Sequence, residues 1–134
     1  MSTAVVRISV RAVVEMTLHE KDLSPAAFSA RRMQEGAAAH RARQESAKER
    51  EYQKEVALSA DYEGEALLLH VTGRADGIYE DADGVTVIEE IKLGYENQPL
   101  IPAHRAQAAM YGHMLAAMEN MNVLRLRVLY VGVN

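Results

Sequence analysis

Asp76, Glu90 and Lys92 are the residues whose types and spacing could do chemistry together. Asp76 stands in Gly73-Arg74-Ala75-Asp76-Gly77, and Glu90 and Lys92 stand in Ile88-Glu89-Glu90-Ile91-Lys92. Side chains alternate along a strand, so Glu90 and Lys92 share a face, while Ile88 and Ile91 lie on different faces. Between the two segments, Asp81-Ala82-Asp83-Gly84 has hairpin-turn chemistry, and positions 76 and 90 are equidistant from 83. A hairpin closed there brings Asp76 opposite Glu90. Two carboxylates beside an ammonium make a cation site next to a positive charge, and oxygen ligands suit Mg²⁺ or Mn²⁺. A lysine there can orient or activate water and stabilise charge on a phosphate. The same residues also read as a surface salt bridge on an exposed strand, and spacing alone leaves both readings open.

The elements that must position them follow from period and punctuation. Residues 8–19 read as a helix with Ser9 as N-cap and Val10, Val13, Val14, Thr17 and Leu18 at helical spacing. Lys21–Pro25 is a break. A longer, Ala-rich and charged helix follows within 26–50, with Gly36 inside it as a mark of close packing or a joint. The period then changes: Glu55–Ala60 alternates, Glu63-Gly64 turns, and Ala66–Thr72 continues through Gly73 toward Ile78-Tyr79. Val85–Ile91 is apolar enough for a central strand. Pro102 opens a helix over Ala103–Glu119, and Leu124–Val133 alternates as a closing strand. The predicted order is α-α-β-β-β-α-β, an α/β fold with a mixed sheet flanked by helices.

Composition bounds the rest. With 134 residues, 49% hydrophobic and 25% charged, the chain is expected to form a single domain over 1–134. It has no cysteine, which excludes disulfides, zinc-thiolate sites and iron–sulfur clusters. Six Tyr, one Phe and no Trp argue against a base-stacking sheet platform. Residues 1–60 carry ten Lys/Arg against eight Asp/Glu, whereas residues 61–134 carry five against eleven. An acidic half can repel nucleic acid or collect the carboxylates of a cation site. No apolar run is long enough to span a membrane and no signal-peptide layout is present, so the expectation is a soluble, cytoplasmic protein.

Five short motifs, taken together and in order, resemble the PD-(D/E)XK nuclease superfamily in its RecB-like branch. Gly36-Ala37-Ala38-Ala39-His40 is similar to a G-x-x-x-H on the first helix, and Glu55 to an acidic residue of the first strand. Gly73–Gly77 resembles the G-R-x-D motif, Glu90-Ile91-Lys92 the E-x-K motif, and Gln107–Tyr111 the Q-x-x-x-Y helix. The likeness spans roughly 8–133. Val10–Glu15, Gln34-Glu35-Gly36, Gln44 and His104 with Gln107 further resemble the nuclease module found in front of some bacterial DinG/XPD-like helicases.

This resemblance implies a restriction-endonuclease-like core and a Mg²⁺- or Mn²⁺-dependent DNA nuclease. It implies an exonuclease on single-stranded ends, in DNA repair, recombination, or phage or mobile-element DNA processing. By resemblance, His40, Asp76, Glu90 and the Ile91 carbonyl hold the metal, and Asp76, Glu90 and Lys92 are catalytic, with Lys92 positioning the attacking water. Glu55, His104, Gln107 and Tyr111 support the site or contact DNA. The implied partners are DNA, a helicase on a separate chain, since no phosphate-loop motif is present, or a second copy of the chain. The alternative is a non-catalytic DNA-binding or assembly module of the same fold. His70 and His113 are expected to be structural, and Met110, Met114, Met118 and Met121 to fill the core. Glu89 is expected to be solvated or helix-paired. The Arg/Lys run of the second helix (Arg31, Arg32, Arg41, Arg43, Lys48, Arg50) is expected to be a solvated face or a phosphate track.

Overall fold

A computed structural model of the chain describes residues 3–18 and 30–132. The break at Lys21–Pro25, the predicted helical positions 19 and 26–29, the side chains of Arg31 and Arg32, and Val133 lie outside the described residues. The elements are β1 (Ala4–Ser9), α1 (Val10–Leu18), α2 (Ala30–Ser46), β2 (Arg50–Glu63), β3 (Leu67–Glu80), β4 (Thr86–Gly94), α3 (Pro102–Glu119) and β5 (Arg125–Gly132). From α1 onward this is the predicted order. The predicted order lacked β1, whose apolar residues run into those of α1 without a loop. Ser9 ends the strand and caps the helix, its Oγ accepting the Ala12 N–H at 3.1 Å, so one unbroken stretch changes period inside itself.

The five strands form one mixed sheet. β2, β3 and β4 are antiparallel, and α3 carries the chain over to β5, which lies parallel to β4. The 83-centred hairpin holds: Gly77 pairs with Glu89 and Ile78 with Ile88. Asp81 locks its turn, its Oδ1 accepting the N–H groups of Asp83 and Val85 at 2.9 and 3.0 Å.

β3 is the long central strand, and its two edges differ. β2 runs along one edge for nearly its whole length. The other edge is divided: β1 pairs parallel with Leu67–Thr72, and β4 pairs antiparallel with Gly77–Glu80. Gly73, Arg74, Ala75 and Asp76 therefore have no strand neighbour on that edge. The sheet forks there, and the fork is where the candidate residues meet.

The core lies between the sheet and α1 and α3. It contains Val10 and Val14 of α1, Leu58 of β2, Val71, Ala75 and Ile78 of β3, Ile88 of β4, and Ala103, Tyr111, Met114 and Leu115 of α3. Pro102 opens α3 as expected, and Asn120 closes it in the left-handed conformation at φ 53°. Met114 is fully buried and Met110 and Met121 pack against the core, but Met118 is 49% exposed. α2 packs instead against β4 and β5. Among the described residues, no helix is long and apolar enough to cross a membrane.

Candidate active site

At the fork, a side chain takes over a bond that a neighbouring strand would have made. The Ile91 N–H donates to Asp76 Oδ2 at 2.7 Å, so the Asp76 carboxylate continues the β3–β4 connection where the ladder stops. Tyr111 of α3 lies across this open stretch, its ring against Gly73. Tyr111 can come that close only because residue 73 is glycine: a Cβ there would overlap Tyr111 Cε1 and press on Val10. The G-R-x-D and Q-x-x-x-Y motifs are thus two halves of one packing contact.

Glu90 and Lys92 lie side by side on β4, with Lys92 Nζ 3.8 Å from Glu90 Oε2. Glu90 is 2% exposed and its Oε1 has no hydrogen-bond partner. Burial, reinforced by the Asp76 charge, pushes its carboxyl up to about 8. Asp76 is also raised by burial, against the lowering pull of His40 and the Ile91 N–H. Burial depresses the Lys92 ammonium, opposed by Glu90 and Asp76. Both carboxyls and the lysine are therefore displaced toward their neutral forms by burial.

Two further groups come from the other side. His40 on α2 places Nδ1 3.6 Å from Asp76 Oδ1. Glu55 bends β2 at a left-handed φ of 53°, opposite Asp76 in the β2–β3 pairing. Gln44 of α2 donates to Glu55 Oε1 at 2.8 Å and to the Asp76 carbonyl at 3.0 Å. One ligand atom each of His40, Glu55 and Asp76 lies within 4.8 Å of the others.

The resulting cleft of about 290 Å³ is lined by Arg11, His40, Arg74, Asp76, Glu90, Lys92, Gln107 and Tyr111. Seven of the residues singled out from the sequence thus meet at the fork: six line the cleft, and Glu55 stands beside His40 and Asp76. Ile91 enters through its N–H. His104 does not line the cleft; it is buried with its Nδ1 2.9 Å from the Tyr130 hydroxyl, which also accepts the Ile101 N–H. It thereby ties the start of α3 to β5, and the shared helical face with Gln107 does not bring it to the fork. His70 pairs with Asp61 and His113 with Tyr62, both away from the cleft as expected.

Arg11, Arg74 and Gln44 stood in the quoted motifs without a site role. Arg11 opens α1 beside β1, and that strand was the signal needed to place it. Arg74 stands two residues before Asp76 on β3, so strand alternation was available to put the two on one face. Gln44 is one helical turn beyond His40, so the i, i+4 spacing was available to find it.

The reverse face of β4 decides between the two expected readings of Glu89 and corrects that of Arg43. Glu89 is helix-paired and not solvated: it is fully buried and faces α2. Arg43 donates to it through Nε at 2.9 Å and Nη2 at 3.0 Å, Tyr52 donates through its hydroxyl at 3.0 Å, and Arg127 Nη1 lies 3.3 Å away. Arg43 also forks onto Glu49 at 3.2 and 2.7 Å. Arg43 is therefore neither a solvated residue nor part of a phosphate track, although Arg41 is exposed.

Comparison with known proteins agrees with this geometry. The sequence matches the PD-(D/E)XK nuclease superfamily over residues 3–134. The chain belongs to that superfamily. The crystal structure of SSO0001 superposes with a TM-score of 0.58 at 19% identity, covering 82% of this chain and 57% of that one, a likeness of fold. The chain thus spans little more than half the length of that structure. No curated protein matches the sequence. As a PD-(D/E)XK chain it is expected to take a divalent metal, and its residues fit one. Carboxylates and one imidazole converge, and a fully buried carboxylate oxygen has no partner. With no cysteine in the chain, an iron–sulfur cluster is excluded.

Proposed function

We propose that the chain is a Mg²⁺- or Mn²⁺-dependent deoxyribonuclease that cuts single-stranded ends, and that Asp76, Glu90 and Lys92 are its catalytic residues. The observation that carries this reading is the meeting of Asp76, Glu90 and Lys92 in one cleft with Glu90 Oε1 unbonded. His40, Asp76, Glu90 and the Ile91 carbonyl would hold the ion, with Glu55 beside them. A divalent cation bound there would supply Lewis acidity toward the phosphate and lower the pKa of water in the cleft.

The chain's own residues do the rest. Lys92, held near Glu90, orients the attacking water and stabilises the charge that grows on the phosphate oxygens. Its depressed pKa lets it hand a proton on more readily than an exposed lysine. Arg11 and Arg74 at the cleft rim bind the phosphates on either side of the scissile one. Gln107, with a buried unbonded Oε1, and Tyr111 position the strand and the lysine. The likeness of Gln107 and Tyr111 to the RecB-like helix supports reading the activity as part of DNA repair, recombination, or phage or mobile-element DNA processing, in the cytoplasm and beside a helicase on another chain. The test is degradation of end-labelled single- and double-stranded DNA with Mg²⁺, Mn²⁺ or EDTA. Metal-dependent loss of single strands from their ends supports the proposal, and DNA binding without cleavage in every metal contradicts it.

A further inference from the structure

Resting on the cation-site reading above, we infer that Arg43 is the positioning residue that holds His40 against Asp76 and so sets which divalent ion the cleft prefers. The argument begins with what α2 lacks. None of its described side chains is buried. Its half-buried stripe is Glu35, Gly36, Ala39, His40, Arg43 and Gln44, which offers one methyl group among polar residues. A helix with so little apolar surface is not located by hydrophobic burial. Polar ties must do it, and two are placed to. Gln44 reaches the Asp76 carbonyl at the fork. Arg43 reaches Glu89, which is 0% exposed on the face of β4 that α2 covers, opposite to Glu90.

Arg43 is also the better fixed of the two. Its planar guanidinium is forked onto Glu89 and Glu49 together and lies over the Tyr52 ring at 5.3 Å, and that ring stacks on Tyr79. Tyr52 is seated against Gly77, where any Cβ would overlap its hydroxyl. His40 and Arg43 are three residues apart on the helix, hence neighbours on its surface. Fixing Arg43 therefore fixes the azimuth and depth of His40. An imidazole favours Mn²⁺ over Mg²⁺ relative to an all-oxygen set, so a loosened Arg43 should be read out as lost ion discrimination.

The experiment is calorimetric titration of MnCl₂ and MgCl₂ into wild type, Arg43→Lys, His40→Ala and the double variant, with folding checked by circular dichroism. Lysine keeps a positive charge for Glu89 but cannot make both forks. Arg43→Lys should lose about tenfold in Mn²⁺ affinity, the scale of outer ligand-orienting contacts. It should lose less for Mg²⁺, and lose nothing further in the His40→Ala background. Glu49→Gln removes one fork from the partly exposed side, should repeat the pattern at smaller size, and replaces Arg43→Lys if that protein does not fold. Wild-type Mn²⁺ affinity in the folded variant, or an equal loss with and without His40, overturns the inference. A wild type that binds neither ion instead removes the cation site itself.

Discussion

Glu90 carries the site's largest unmet requirement: a buried carboxyl with one oxygen unbonded, raised to about 8 from an ordinary 4.5. The sign of its effect on stability follows from proton counts. Between these two values the metal-free native state keeps a proton that the unfolded chain has released, so stability falls as pH rises through that window. Glu90→Gln cannot titrate. In EDTA, its melting temperature relative to wild type should therefore climb from pH 5 to pH 9, and a constant difference would mean that Glu90 is ionised when buried. His40 acts on ion choice. His40→Ala should reduce Mn²⁺-supported cleavage more than Mg²⁺-supported cleavage, and an equal loss would make the histidine structural. At this scale the sequence was legible where chemistry and spacing coincided. Asp76, Glu90 and Lys92 follow from strand alternation and a turn centred on 83. The burial of Glu89 and the bond of His104 were hidden: spacing left Glu89 open between solvent and a helix partner until Arg43 was placed beside it, and a histidine on the right helical face can still spend its nitrogen on a tyrosine.

Among the elements, the fork in β3 explains why the motifs are spaced as they are. β1 and β4 share one edge of β3 and leave Gly73–Asp76 open, and α3 then lays Tyr111 across the gap. Gly73→Ala should cost about 1–3 kcal/mol in urea unfolding, the range for overpacking a filled core, and should slow cleavage by displacing Tyr111. A cost below about 0.5 kcal/mol, the size of an ordinary surface substitution, would show that the gap is roomier than the packing here requires. The hairpin, the α3 start at Pro102 and the return to β5 were readable because turn residues and a change of period mark them. β1 was not, since strand and helix meet at Ser9 without punctuation. The left-handed bend at Glu55 left no sequence signal either, because glutamate has no preference for that conformation.

Over the whole molecule, the proposed function asks an acidic chain of net charge −4 to hold a polyanion. Arg11 and Arg74 face the cleft, but its carboxylates oppose a phosphate until a cation offsets them. Ion binding should therefore stabilise the fold and enable substrate binding together. Mn²⁺ at about 100 times its dissociation constant should add roughly 2.7 kcal/mol, seen as a raised melting temperature in wild type and none in Asp76→Asn; an equal rise in both would place the ion elsewhere. The central claim is that Lys92 acts on the reacting phosphate, and single-turnover cleavage of a labelled single-stranded oligonucleotide by wild type and Lys92→Ala tests it most directly. Folding and DNA binding of both proteins are checked alongside. An exposed ion pair contributes about 0–1 kcal/mol, so a lysine that merely balances Glu90 would be nearly dispensable. The account predicts a wild type that cuts with Mg²⁺ or Mn²⁺ and not with EDTA, and a folded, DNA-binding Lys92→Ala protein about 100-fold slower or worse. Lys92→Ala cutting at the wild-type rate would contradict it.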